Sequence, residues 1–196
     1  MKALSEFNPH LYSSAFVELL QEERLNLLDP GTPNMQMRPA LAALTIEKAF
    51  APNKIIDADM ARACLAGIWL YHDFLEESHQ ISQSIATTTG SYWHGIMHRR
   101  ESDFSNSKYW FHRVGEHPIF EPLRQAAAEL AAASTSHEST AFLRRQKKWD
   151  PFAFIDFCEA CLKRHSPAET LCRQIQQGEW KLLFDHCYHQ AIGNLY

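Results

Sequence analysis

Residues 57–83 read DADMARACLAGIWLYHDFLEESHQISQ. Asp57 stands where a helix N-cap belongs, because its carboxylate can accept from the free N–H groups of a first helical turn. The pattern that follows predicts one long helix running through Trp69 and Phe74 to about Gln83. Within it His72, Glu76 and His79 stand at i, i+4 and i+7. At helical pitch these share one narrow face, beside the apolar line Ile68, Tyr71 and Leu75.

The flanking stretches read the same way. Residues 13–28 place Phe16, Val17, Leu19, Leu20, Leu25, Leu27 and Leu28 at mixed helical spacing. They end at Asp29-Pro30-Gly31-Thr32-Pro33-Asn34, where proline cannot continue the helical hydrogen bonding. A second helix opens at Pro39, carries Leu41, Leu44, Ile46 and Phe50, and stops before Pro52. Thr87-Thr88-Thr89-Gly90 marks a break, followed by short helices over 92–101 and 105–114 joined around Ser102-Asp103-Phe104. Residues 118–133 form an alanine-rich helix, and Ser134-Thr135-Ser136 is a loop where proteolytic nicking is expected. Trp149-Asp150-Pro151 caps a helix over 152–164 and Ser166-Pro167 caps the next. Gly178 separates that one from a last helix over 179–192, which ends at Gly193. No stretch shows sustained strand alternation. The expected fold is all-α: a single domain over residues 1–196, a helical bundle of eight or nine helices.

Charge and composition narrow the function. The 196 residues carry 19 Lys+Arg against 23 Asp+Glu, a net charge of −4, which gives no electrostatic reason to expect nucleic acid or an anionic membrane as partner. Eleven histidines make that charge sensitive to acidification, since an unperturbed imidazole titrates near about 6.5. The most apolar stretch, residues 64–71, is far too short to span a bilayer, and residues 1–12 have no apolar leader core. Cys64, Cys158, Cys161, Cys172 and Cys187 are odd in number, so reduced thiols in a cytoplasmic protein are the expectation.

The run His94-Gly95-Ile96-Met97-His98-Arg99-Arg100-Glu101-Ser102-Asp103-Phe104-Ser105-Asn106-Ser107-Lys108-Tyr109-Trp110-Phe111 resembles one tetratricopeptide-type helix hairpin. Gly95 stands at the small first-helix position that lets the second helix approach. Asp103-Phe104 match the acidic–aromatic turn pair, Ser107 the small residue after it, Trp110-Phe111 the paired aromatics, and Pro118 the terminal proline. His94 and Arg99 depart from the apolar and aromatic residues of the pattern. The likeness covers residues 91–118, with no second copy at the repeat's period of about 34 residues. It therefore implies a tight hairpin and not a peptide-binding array. Residues 70–120 also resemble an uncharacterised bacterial family, which implies no function.

A second stripe repeats the first: His94, His98 and Glu101 are again at i, i+4 and i+7, flanked by Trp93 and Met97. If the two helices pack antiparallel, two His/His/Glu faces meet. Helix bundles build metal centres in this way, and two imidazoles with a carboxylate suit zinc, iron or manganese with a position left for water. The expected metal ligands are His72, Glu76, His79, His94, His98 and Glu101, holding a divalent transition metal whose acidified water serves hydrolysis or oxidation. Nitrogens of the two faces within about 5 Å of one another would make a site, given metal–nitrogen bonds near 2.1 Å. Arg99 and Arg100, with Trp93 and Tyr71 beside the stripes, are the residues expected to hold a small polar or anionic ligand, since arginine forks suit carboxylate and phosphate.

The bland reading of the stripes is helix-supporting His/Glu pairs at the edge of a core, and that of the arginines a salt-bridged face. The basic run Arg144-Arg145-Gln146-Lys147-Lys148 reads as an exposed helix end, and Cys158-x-x-Cys161-x-x-x-His165 as core cysteines on an amphipathic helix. No phosphate loop, nucleophile elbow or dinucleotide fingerprint is present. Turnover is left open by the sequence. The competing reading is a non-enzymatic interaction module, with the hairpin over 92–114 as its binding face.

Overall fold

The structure, a computed structural model, describes residues 7–134 and 138–194. Among these the protein is all helical, with eleven α-helices, two 3₁₀ turns (Pro9–Leu11 and Glu138–Thr140) and no strand. The helices are α1 Ser14–Leu19, α2 Arg38–Ala42, α3 Ile46–Phe50, α4 Ala58–Tyr71, α5 Leu75–Ser82, α6 Thr88–Arg100, α7 Phe104–Val114, α8 Phe120–Ala133, α9 Ala141–Arg145, α10 Pro151–Arg164 and α11 Glu169–Ile192. The expected count of eight or nine is too low, and the reasons are local. The nicking loop expected at Ser134-Thr135-Ser136 lies, beyond Ser134, outside the described residues.

Where helix ends depend on neighbouring residues, they fall where the caps stand. Asp57 accepts from the Asp59 and Met60 amides, and Asp150 from those of Phe152 and Ala153. Gly193, at φ 75°, closes α11 in the left-handed conformation that glycine adopts without strain. Thr87, read as part of a break, is instead an N-cap: its hydroxyl accepts from the Gly90 amide, so α6 starts four residues earlier than expected. Thr45 caps α3 in the same way and divides the expected helix over Pro39 to Phe50 into two.

The expected long helix over 57–83 is two helices. Asp73 takes φ 64°, a conformation that costs a non-glycine residue about 1–2 kcal/mol. It is held there from outside the segment. Arg24 Nη2 donates to its Oδ2 at 2.7 Å, and Arg100 Nη2 and Asn26 Nδ2 donate to its Oδ1 at 2.6 and 2.8 Å. This buried ion-pair network overrides the local helical pattern.

It also explains why residues 20–28 are not helical, although their leucine spacing predicts a helix. The extended chain bonds its carbonyls to side chains of other elements, which answers where its backbone hydrogen bonds go. Tyr71 donates to Glu22 O, Gln177 to Arg24 O, Arg173 to Leu25 O and Asn26 O, and Gln176 to Leu27 O. Arg100 then donates to Asp29 O and Pro30 O. At the other end of the chain, Gly178 does not interrupt the helix: α11 runs unbroken for 24 residues with Gly178 buried inside it. A helical glycine costs only about 1 kcal/mol, less than packing returns.

One hydrophobic cluster gathers residues from α1 through α11, among them Phe16, Phe50, Ile68, Trp93, Phe111, Leu123, Phe154 and Phe184. α6 lies within it, against α4, α5 and α7, and every residue from Thr89 to Arg100 is buried. α7 folds back on α6 as a hairpin. Asp103 caps α7 by accepting from the Asn106 amide, Ser107 donates to Gly95 O at 2.8 Å, and the Phe111 ring covers Gly95.

A methyl at Gly95 would come within 2.8 Å of two Phe111 ring carbons. Overpacking of this kind costs about 1–3 kcal/mol, against at most about 1 kcal/mol returned by the better helix propensity of alanine. Gly95→Ala is therefore expected to lower stability by about 1–2 kcal/mol in urea unfolding. Wild-type stability would mean that α7 can retreat from α6 without loss. Among the described residues no helix is long and apolar enough to cross a membrane.

Candidate metal centre

α6 is unusual in being buried on all sides while carrying Thr89, His94, His98, Arg99 and Arg100. A buried polar group costs free energy unless it is hydrogen-bonded, so each of these should have a partner. Four do. Thr89 Oγ1 lies 3.2 Å from His117 Nε2, and Arg99 is ion-paired with the fully buried Glu179. Arg100 holds Asp73 and two carbonyls of the extended chain. His98 Nδ1 lies 3.1 Å from Glu101 Oε2. His94 is the exception: it is 2% exposed, and neither Nδ1 nor Nε2 has a hydrogen-bond partner among the described residues.

What surrounds His94 is other rings. Its imidazole stacks on Trp110 of α7 (centroids 3.9 Å apart, planes 17°) and on His98 one helical turn away (4.7 Å, 18°). His79, from α5, meets both histidines edge-on, at 4.7 and 5.3 Å. One ring nitrogen from each of His79, His94 and His98 lies within 4.8 Å of the other two. Ligands of a tetrahedral ion with 2.1 Å bonds stand about 3.4 Å apart, so closing the three on a metal asks for side-chain shifts of about 1 Å.

The electrostatics suit neutral ligands. Burial, with the neighbouring His98 and His79, lowers the pKa of His94 to about 3. Burial also lowers that of His98, against the opposing pull of Glu101. Imidazole binds metal in its neutral form, so these rings need release no proton at ordinary pH. Glu101, half-exposed, is placed behind His98 and not beside the other nitrogens. If His98 Nδ1 donates to Glu101, the ring is fixed in the tautomer whose Nε2 carries the lone pair, a carboxylate–histidine arrangement common around metal ligands. Asn106 Nδ2 lies 3.1 Å from that Nε2.

The structure thus brings together His79, His94 and His98, with Glu101 one step removed. It does not bring His72 or Glu76 to them. Because the chain breaks at Asp73, His72 turns away and its Nε2 contacts Leu19 O at 2.9 Å, while exposed Glu76 accepts from Gln80 on its own helix. The residues expected to hold an anion each have other partners. Arg99 pairs with Glu179 beneath the Phe154 ring, and Arg100 braces the extended chain. Trp93 Nε1 donates to Cys187 Sγ, and the Tyr71 hydroxyl donates to Glu22 O and accepts from the Arg24 amide.

No family model, curated protein or solved structure matches this chain. The geometry of the three histidines therefore has to carry the functional reading. Sequence reasoning missed Asn106 and Trp110 as neighbours of the site. Their signal was a spacing of four residues in a helix tightly turned back on α6, with Trp110 counted only among the hairpin aromatics.

Proposed function

We propose that this protein binds a divalent transition metal through His79, His94 and His98, with the fourth position open to water. The observation that carries the reading is the buried His94 imidazole, both of whose nitrogens lack a hydrogen-bond partner while two further imidazoles converge on it. An unpaired buried polar group costs about 1–3 kcal/mol, and a metal bond to His94 would relieve part of that. Imidazole donors suit zinc, copper, iron or nickel. Three neutral ligands would leave the ion its full charge, balanced at a distance by Glu101 and Asp103, whose fields both reach His98. A water on such an ion is acidified toward a pKa of about 7, which is the chemistry of a hydrolytic centre. The proposal includes no arginine clamp, because Arg99 and Arg100 are committed elsewhere.

Cobalt(II) titration of tag-free protein tests it. One ion per chain is expected, with the visible absorption of a tetrahedral or five-coordinate site. The double replacement His79→Ala/His98→Ala should abolish that signal. Glu101→Gln should weaken affinity by about 10–100-fold, the usual effect of losing the partner behind a ligating histidine. A flat titration at millimolar cobalt would overturn the reading.

A further inference from the structure

A second group of reactive side chains lies where α10 meets α11, away from the histidines. Cys158 and Cys161 are one turn apart on α10 and Cys172 is near the start of α11; all three are buried. Cys158 Sγ and Cys172 Sγ are 3.1 Å apart. A disulfide is about 2.05 Å long, so bonding these sulfurs asks for an approach of about 1 Å. Cys64 and Cys187 also lie side by side, but each has a further partner: Cys187 takes the Trp93 indole N–H, and Cys64 faces Phe184 O.

Two further features lie beside the pair. Arg99, itself almost fully buried, is close enough to feel the charge of both Cys158 and Cys172, and its Nε and Nη1 have no hydrogen-bond partner among the described residues. Cys161 accepts from Cys172 and Ser166, and these hydrogen bonds push its thiol down, while burial pushes Cys172 up.

We propose that Cys158 and Cys172 are an oxidative modification site, joined as a disulfide when the protein meets hydrogen peroxide. The Cys158 sulfur attacks one peroxide oxygen, the O–O bond breaks, and the second oxygen leaves with the thiol proton as water. Cys158 is then a sulfenic acid. Cys172 then attacks that sulfur. The S–S bond forms, the S–O bond breaks, and the departing hydroxide takes up the Cys172 proton as a second water. Two thiols are oxidised and one peroxide is reduced. The product ties α10 to α11 across 14 residues of chain. Because both thiols are buried, the oxidant is a small one.

The test exposes the full chain to hydrogen peroxide with a chelator present, so that the histidine site plays no part. It then alkylates the remaining thiols under denaturing conditions and maps the peptides. Trypsin leaves Cys158 and Cys161 on one fragment, and a further cut after Glu159 separates them. The expected result is loss of two of the five thiols, recovered on reduction, with the Cys158 fragment linked to the Cys172 fragment. The Cys161→Ala variant should still give that link, and Cys158→Ala should not. Five alkylated thiols, a Cys161–Cys172 link, or overoxidation without a link would each overturn the proposal.

Discussion

Taking the metal-free protein from pH 8 to pH 5 is expected to lower its folding stability by at least about 4 kcal/mol. Two buried histidines supply that figure. His94, facing His79, His98 and the Trp110 ring, has its pKa lowered to about 3, chiefly by burial and then by the other two imidazoles. His117 is also lowered to about 3 by burial and by His186; it faces Thr89, Tyr92 and Phe120 as well.

An unfolded histidine titrates near about 6.5, so between that value and about 3 the unfolded chain binds protons that the folded chain does not. Stability therefore falls as the pH falls below about 6.5. By pH 5 each group has crossed about 1.5 of those units, worth about 2 kcal/mol apiece at 1.36 kcal/mol per unit. His72, His98 and His186, also lowered chiefly by burial, act in the same direction. Urea midpoints at the two pH values measure the effect, and His117→Gln should remove close to half of it. Equal stability at pH 8 and pH 5 would mean that these imidazoles titrate in the folded protein as they do in the unfolded chain. A metal would then have to compete with protons for them below about pH 6.5.

What the sequence revealed follows the range over which each feature is determined. Asp57, Asp150 and Gly193 act on amides and carbonyls within four residues, so their roles are legible from the chain alone. His94 and His98 are one turn apart on an unbroken helix, and their pairing is legible for the same reason. His79 was placed in the site by a helix that does not exist. It reaches the site because α5 packs on α6, not because it shares a face with His72.

The extended chain over 20–28 was illegible because nothing in its own residues holds it. Its bonds come from Tyr71, Arg173, Gln176 and Gln177, between 45 and 154 positions away. Arg100 shows the same limit. Beside Arg99 it reads as a basic patch, and only its partners Asp73 and Asp29 O reveal a brace.

Replacing Glu179 with leucine is expected to destabilise the protein by about 3–5 kcal/mol, the range for a buried ion pair that loses one member. Glu179 is fully buried, pairs with Arg99, and accepts from the Tyr92 hydroxyl at 3.0 Å. Burial penalises the Arg99 charge, but the Glu179 carboxylate outweighs that and holds the guanidinium protonated. Without it a cation that already lacks partners at Nε and Nη1 would stay buried with only the Phe154 ring and the neighbouring thiols around it. For a chain of this length the loss corresponds to a fall in Tm of about 6–20 °C.

The cost should come from the orphaned charge and not from the loss of an attraction, because buried pairs replaced together by apolar residues are often neutral or stabilising. The combined variant Arg99→Met/Glu179→Leu/Tyr92→Phe removes the cation, the carboxylate and the hydroxyl that needs it. It should recover most of the lost stability. If Glu179→Leu costs under about 1 kcal/mol, water reaches Arg99 or its neighbours rearrange around it.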